Sequence, residues 1–323
     1  MSTKEHLLQE LIATGDQFVS GEILAQRLNL SRTAIWKAIQ QLKKDGYLIE
    51  SKAQFGYRYV ENDLLSKTAI QHFLPNELQT LPLSVYPTLA STNQKAKELA
   101  AQRNDVPQVL ITNQQTRGYG RYGRPFISPK NSGIYLSLLL KPTTQLTDVG
   151  LLTTATAVAV FRAIKLTTGI KTKIKWVNDL YLRDKKICGI LSEAVTDFET
   201  QHITDVIIGI GLDFAAPETP LDNNLQNKVG ALFTTKPTTT RNQLIAEILT
   251  QFFSIYPAYS AGQFLTDYRE NSLLIGKQVT LKQGNEQLSG LVTGINNHGE
   301  LLLQTTTGQR AISSGEVTKV YYQ

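Results

Sequence analysis

Gln-Gln-Thr-Arg-Gly-Tyr-Gly-Arg-Tyr-Gly-Arg-Pro-Phe, residues 114–126, is the segment around which the rest of the chain is read. Gly118, Gly120 and Gly123 alternate with Arg117, Arg121 and Arg124, and Tyr119 and Tyr122 stand between them. Neither a helix nor a strand suits that composition, because each glycine costs conformational entropy and offers nothing to a core. A mobile loop suits it. The backbone can approach a ligand, the guanidinium groups can hold oxyanions, and the rings can cover what is bound. A solvated basic surface loop is the alternative that the segment alone leaves open. Dinucleotide and P-loop fingerprints are excluded: the glycine spacing differs from the first, and the Gly-Lys-Ser/Thr ending of the second is missing.

At 323 residues the chain exceeds one ordinary core, so two or three domains are expected. An apolar fraction of 41% and a charged fraction of 19% are those of a soluble globular protein. No apolar run is read as long enough to cross a bilayer, and the charged first residues enter a helical pattern without a secretion signal. The single cysteine, Cys188, excludes an intramolecular disulfide and fits a reducing cytoplasm. His6, His72, His202 and His298 are scattered without metal-ligand spacing, so no metal site of the protein's own is expected. The formal net charge of +6 favours anionic partners.

Upstream of the loop, Leu7, Leu8, Leu11 and Ile12 lie at helical spacing, and a short helix follows Ser20-Gly21-Glu22. Ser31 then caps a third helix whose buried stripe is Ile35, Ala38, Ile39 and Leu42. The opposite face carries Thr33, Trp36, Lys37, Gln40 and Lys44. Two strand-like pieces, 47–51 and 57–60, complete a winged helix-turn-helix over residues 1–62. Its helix-turn-helix lies at about 21–40, with Gly21, Ser31, Arg32, Thr33, Trp36, Lys37 and Gln40 as the DNA-contacting set. A three-helix module that binds protein is the alternative. A basic, polar face meets phosphates better than it meets an apolar partner.

Residues 61–67 read as a linker, and a mixed α/β domain is expected over 67–271. Strands are expected at 109–112, 133–140, 173–176, 189–194 and 205–211, and helices at about 93–102, 149–165 and 241–253. This pattern implies one sheet flanked by helices. Three further pieces carry chemistry. Ser91-Thr92-Asn93 offers short hydrogen-bonding side chains before a helix, which simple N-capping also explains. Lys175-Trp176-Val177-Asn178-Asp179 ends a strand, where sheet proteins hold ligands and where turns also favour Asn-Asp. Lys185-Lys186-Ile187-Cys188-Gly189 puts lysines before a glycine that opens a buried strand. Residues 272–323 alternate as short strands with turns at 296–299 and 307–308, which reads as a small SH3-like barrel.

In this order the pieces resemble the biotin–protein ligases, in the form that doubles as the biotin operon repressor. The resemblance covers essentially the whole chain: winged helix, Ser-Thr-Asn, a Gly-Arg loop, a Lys-Trp-x-Asn-Asp turn, Lys-x-x-Gly-Ile-Leu and a terminal barrel. It implies an α+β multidomain protein whose central domain is biotin/lipoate-ligase-like, of the class II synthetase type. It further implies that Ser91, Thr92, Asn93 and Gln115 hold the ureido ring of biotin, and that Tyr119, Gly120 and Arg121 cover biotin and its adenylate. Lys186 would hold the carboxylate and phosphate, and Arg121 and Lys186 would act in catalysis. Gly118, Gly123, Arg124, Phe126, Trp176, Asn178 and Asp179 would form the loop and nucleotide side. Three residues depart from the family pattern. Tyr119 replaces an arginine, which removes one anion contact or shifts it to Arg117. Val177 replaces proline, and Asp213 stands where asparagine is frequent.

The resemblance implies ATP-dependent formation of biotinyl-AMP with magnesium, then transfer of biotin to a lysine of a carboxyl carrier domain. It also implies an adenylate-driven homodimer on the palindromic operator of biotin genes, competing with the carrier for one surface. The expected protein is cytoplasmic, without a membrane partner. Three rivals remain: a ligase whose N-terminal module no longer regulates, a ligase for lipoate or another small acid, and a DNA-binding sensor without catalysis.

Overall fold

The computed structural model describes residues 2–102, 107–141, 149–197, 199, 202–218 and 228–321. The chain divides into two compact units, Met1–Thr80 with Thr239–Glu247, and Leu81–Thr238 with Ile248–Gln323.

In the first unit, α1 (Thr3–Ala13), α2 (Gly21–Leu28) and α3 (Arg32–Lys44) each begin behind a serine. The side chains of Ser2, Ser20 and Ser31 accept from the backbone N–H of Glu5, Ile23 and Ala34, satisfying donors that a first helical turn leaves open. Asn29 ends α2 in the left-handed region (φ 53°), which lets α3 start after one short turn. Leu7, Leu11, Leu24, Ile35, Ile39 and Leu42 meet in one buried cluster, each side chain contributing roughly 1.5–3 kcal/mol of burial. The wing is the antiparallel hairpin of β1 (Leu48–Lys52) and β2 (Gly56–Val60). α4 (Lys67–Phe73) packs on α1. Of residues 61–67, expected as a linker, 61–66 have no helix or strand but are firmly held, and Lys67 already begins α4. Arg241 donates from its backbone N and Nε to the Asp63 carboxylate at 2.7 and 2.6 Å, and Asn242 Nδ2 donates to Leu64 O at 2.8 Å.

The second unit contains β3 (Leu83–Tyr86), α5 (Thr92–Ala101), β4 (Gln108–Thr112), β5 (Gly133–Leu140), α6 (Val149–Thr168), β6 (Lys173–Lys175), β7 (Asp179–Leu182), β8 (Lys185–Thr196) and β9 (Ile203–Asp213). α7 (Arg241–Ile255), of which residues 248–255 belong to this unit, and α8 (Leu265–Glu270) follow. Seven strands form one mixed sheet in the order β3-β4-β5-β9-β8-β7-β6, parallel only between β3 and β4. The expected single sheet is present, with β3 and β7 as strands the sequence did not show and α8 as a further helix. β5 is buried on both faces, which accounts for its nearly continuous apolar run. Register sorts the faces. Ser137 on β5 pairs with Gly209, which pairs with Leu191, so these and Glu193 lie on the face covered by α5. Ser192 lies on the other face, where Thr153 of α6 donates to it at 2.8 Å.

Two sequence expectations change here. β8 starts at Lys185 rather than at Gly189, because the two-residue turn through Arg183 (φ 56°) folds β8 back on β7 at once. A register shift opposite Leu180 and Tyr181 leaves Ile187 unpaired beside Lys186, and such bulges re-aim neighbouring side chains. The apolar helix α6, with 20 residues and a mean hydropathy of 1.5, is long and apolar enough to cross a bilayer, contrary to the sequence reading. In this fold 72% of that stretch is buried inside the protein as core.

The tail forms β10 (Gln278–Gln283), β11 (Glu286–Ile295), β12 (Leu301–Thr305), β13 (Gly308–Ile312) and β14 (Glu316–Tyr321). These make a five-stranded antiparallel sheet ordered β13-β12-β11-β10-β14 around Val279, Leu281, Val292, Leu301 and Leu303.

Candidate functional site

The N-terminus of α5 lies on the covered face of the large sheet, and its first side chains are buried and hydrogen-bonded. Thr92 donates from N (2.9 Å) and Oγ1 (3.3 Å) to Gln115 Oε1, and Gln115 Nε2 donates to Ser128 Oγ at 2.9 Å. Ser137 Oγ lies 2.7 Å from Thr92 Oγ1 and 2.6 Å from Asn93 Oδ1. Asn93 can lie flat on β9 because residue 209 is glycine: a Cβ there would sit 2.3 Å from Asn93 Oδ1. Gly211 does the same for Phe126, whose ring would be 2.5 Å from an added Cβ.

The loop is folded back on itself. Phe126 N donates to Gly118 O at 2.9 Å, Gly120 N donates to Arg124 O at 2.8 Å, and Tyr119 bridges Pro125. A Cβ at Gly118 would meet Phe126 O at 2.5 Å, and Gly123 has φ +69° at the turn. Arg124 makes a two-armed ion pair with Glu316 of β14, at 2.5 and 2.7 Å, and that bond holds the Glu316 carboxyl below its usual range. Tyr122, 70% exposed, is flanked by Arg121 and Arg124 at 5.3 and 5.7 Å from its ring. Arg121 Nη1 approaches Asn178 Oδ1 at 3.5 Å, and among the described residues it has no carboxylate partner.

These residues enclose a cavity of about 420 Å³. Ser91, Thr92, Asn93, Gln115, Tyr119, Gly120, Arg121 and Lys186 all line it, as do Arg124, Phe126, Trp176, Asn178 and Asp179. Gly118 and Gly123 do not line it and instead shape the loop. Arg117 is exposed and does not line it either, so it does not supply the cation that tyrosine at 119 leaves out. Trp176 is buried and donates from Nε1 to Gly299 O at 3.0 Å. Lys186 Nζ pairs with Asp179 Oδ1 at 2.7 Å. Burial, with Lys186 adding to it, lowers the pKa of Lys175, while Asp179 opposes the shift. Sequence reasoning missed Ser137, Glu193, Gly209, Gly211 and Glu316; the Gly-Ile-Gly in an otherwise apolar strand was the one visible signal.

A second cavity, of about 930 Å³, shares Pro125, Phe126, Lys186 and Val229 with the first. Asp213 lines it, and burial pushes its carboxyl up to about 8 while Lys186 pulls it down. The unfolded value is about 3.9, so the folded protein keeps a proton that the unfolded chain releases between about pH 4 and pH 8, and stability falls as pH rises across that window. Asp213→Asn is therefore expected to gain on the parent from near zero at about pH 4 to about 2–5 kcal/mol at pH 8. Thermal melts at about pH 5 and pH 8.5 check this; the same gain at both contradicts it. Among the described residues no group of three His, Cys, Asp or Glu could hold a metal.

In the first unit, Ser31, Arg32, Thr33, Trp36, Lys37 and Gln40 are exposed together on α3, Trp36 by 53%. Arg32 pairs with Glu22. Gly21 begins α2 with Tyr57 of the wing 3.4 Å from where a Cβ would stand. On the wing, Lys52 lies 4.3 Å from the ring of Phe55, which is itself exposed.

Comparison with known proteins gives the same three parts. Residues 85–213 match the Biotin/lipoate A/B protein ligase family, residues 3–58 an HTH domain and residues 274–320 the Biotin protein ligase C terminal domain. The chain is 32% identical over 321 residues to the Bifunctional ligase/repressor BirA of Bacillus subtilis (strain 168), covering 97% of this chain and 98% of that protein. It is 27% identical to the protein of the same description from Escherichia coli (strain K12), covering 95% and 94%. The biotin protein ligase from Aquifex aeolicus in complex with biotin and ATP superposes with a TM-score of 0.62 at 25% identity, over 73% of this chain and 97% of that one.

Proposed function

The chain belongs to the family of bifunctional biotin–protein ligases and repressors, and from that membership we propose how its own residues serve both activities. The enzyme activates biotin with ATP to biotinyl-5′-AMP, transfers biotin to a carrier lysine, and represses biotin genes through its helix-turn-helix. The observation that carries the residue assignment is the meeting of two cavities at Lys186 and Phe126. The first cavity ends in the Thr92, Asn93, Gln115 and Ser137 network, whose fixed donors and acceptors suit the ureido ring of biotin. With Ser91 they form the acid's end of the site. The second cavity takes the nucleotide, with Phe126 between the two, while Trp176, Asn178 and Asp179, expected on the nucleotide side, line the first cavity. The biotin carboxylate and the α-phosphate then meet at Lys186.

No side-chain nucleophile is required, since the carboxylate itself attacks phosphorus. The chain supplies positive charge from Lys186, Arg121 and Lys175, which stabilises charge growing on the phosphate more than charge in the ground state. Magnesium would accompany ATP and supply positive charge at its phosphates; Asp179 and Glu316 are already paired with Lys186 and Arg124. The loop excludes water from the adenylate until a carrier lysine arrives. Incubation with labelled biotin, ATP and a biotin carboxyl carrier domain tests this reading. One labelled carrier lysine, dependent on ATP, supports it, and an unlabelled carrier opposes it.

The exposed α3 face enters the major groove of operator DNA, and the wing meets its backbone. The adenylate drives a homodimer that places two such helices on a palindromic site, in the cytoplasm and without a membrane. Lys37→Ala is expected to weaken binding to the promoter of its own biotin genes and to lower the salt slope by about one. Fluorescence anisotropy across a salt series, with sedimentation in parallel, reads both. An unchanged slope, or a protein that stays monomeric with biotin and ATP, contradicts this part.

A further inference from the structure

Glu193 of β8 collects three donors from three directions behind the first cavity. Its Oε2 accepts from Asn93 Nδ2 at 2.7 Å and from Tyr119 OH at 3.0 Å, and its Oε1 accepts from Lys97 Nζ at 2.7 Å. Asn93 and Lys97 stand four residues apart on α5 and so share a face, while Tyr119 comes from the glycine-arginine loop. Lys97 Nζ also lies 5.6 Å over the Tyr119 ring. Asn93 and Tyr119 line the cavity and Glu193 does not.

The Asn93 amide is held at both ends, with Oδ1 accepting from Ser137 and Nδ2 donating to Glu193. It cannot flip without facing like against like. Burial favours a neutral Glu193, yet the bonds from Lys97, Asn93 and Tyr119 outweigh it and keep the carboxyl below its usual range. Burial and the nearby Glu193 charge raise the Tyr119 phenol, so it remains a donor. The expected arginine at position 119 would crowd Lys97 with a second cation, whereas the tyrosine brings a neutral donor and leaves the Lys97–Glu193 pair intact.

We propose that Glu193 is a positioning residue, through which the closed form of the loop and the orientation of Asn93 in the acid-binding pocket are set together. Tyr119 is the latch on the loop side. The proposal rests on the ligase reading of the cavity. When the loop lifts, the phenol leaves Oε2 and Asn93 loses the neighbour that shares its acceptor. Release of the adenylate and loosening of the biotin pocket are then one event.

The test uses the full chain with Tyr119→Phe, Glu193→Gln and the double variant, each checked by thermal melting. Release of biotinyl-AMP is followed by a chase with unlabelled biotin, and KM for biotin is measured beside kcat. Each single variant is expected to release the adenylate about tenfold faster, the scale of one hydrogen bond to a charged group. Both are also expected to raise KM for biotin, Glu193→Gln about tenfold and Tyr119→Phe by a smaller factor in the same direction. The double variant should release no faster than Glu193→Gln, as residues acting through one contact do not add. Parent-like retention in Tyr119→Phe, or additive effects in the double variant, overturns the proposal. A parent chain that forms no biotinyl-AMP overturns the ligase reading and this proposal with it, which keeps the two failures apart.

Discussion

Lys186→Ala is expected to slow biotin-dependent ATP–pyrophosphate exchange by roughly 10²–10³-fold, the range found when one preorganised donor to a developing oxyanion is removed. The first chemical step brings a carboxylate onto a phosphate. Two unit charges about 4 Å apart repel by about 4 kcal/mol at an effective dielectric near 20. Lys186 is the cation on the border of both cavities, and Asp179 at 2.7 Å fixes its direction. Gly189 leaves its chain room, since an added Cβ would stand 3.1 Å from Nζ. The loss should fall on kcat of adenylation more than on KM for biotin, because the pocket of Thr92, Asn93 and Gln115 is untouched. Exchange at the parent rate would remove Lys186 from the mechanism, provided that a thermal melt shows the variant folded.

The second large effect is on retention. Arg121→Gly should still make biotinyl-AMP but lose it to solution about 10–100-fold faster, since a hydrogen bond to a charged group is worth roughly 1.5–3 kcal/mol. Arg121 reaches into the first cavity, among the described residues no carboxylate lies in ion-pair range of it, and its guanidinium leans on Tyr122. Glycine at 121 would also follow Gly120 and precede Gly123, adding backbone freedom to the segment that must stay closed. The expected readout is labelling of lysines on an unrelated bystander protein, with pyrophosphate exchange slowed less than in Lys186→Ala. Bystander labelling no greater than with the parent protein contradicts the sealing role.

Much of this molecule was legible because its signals are local. The Ser31 cap and the apolar stripes at helical spacing announce the winged helix, and β5 reads as a central strand from its unbroken apolar run. The sheet partners of the site were not legible. Ser137 and Glu193 sit in strands whose composition reads as structure, and only register brings them under Asn93 and Tyr119. β3 and β7 are four-residue strands, too short to show a period. The loop composition pointed to mobility, yet the structure closes it through Tyr119 to Glu193 and Arg124 to Glu316. Those are long-range pairs that a segment cannot reveal by itself. The bilayer-length reading of α6 failed for a related reason. Its interspersed threonines hide the length, and Thr154, Thr156, Thr167 and Thr168 return their hydroxyls to the helix's own carbonyls.

The account stands most directly on which acid the two cavities activate. ATP–pyrophosphate exchange by the purified chain with magnesium, comparing biotin, lipoate and no acid, measures that choice. Exchange that depends on biotin, and stays at background with lipoate and without acid, is the predicted result. Exchange driven by lipoate, or none with either acid, would contradict it.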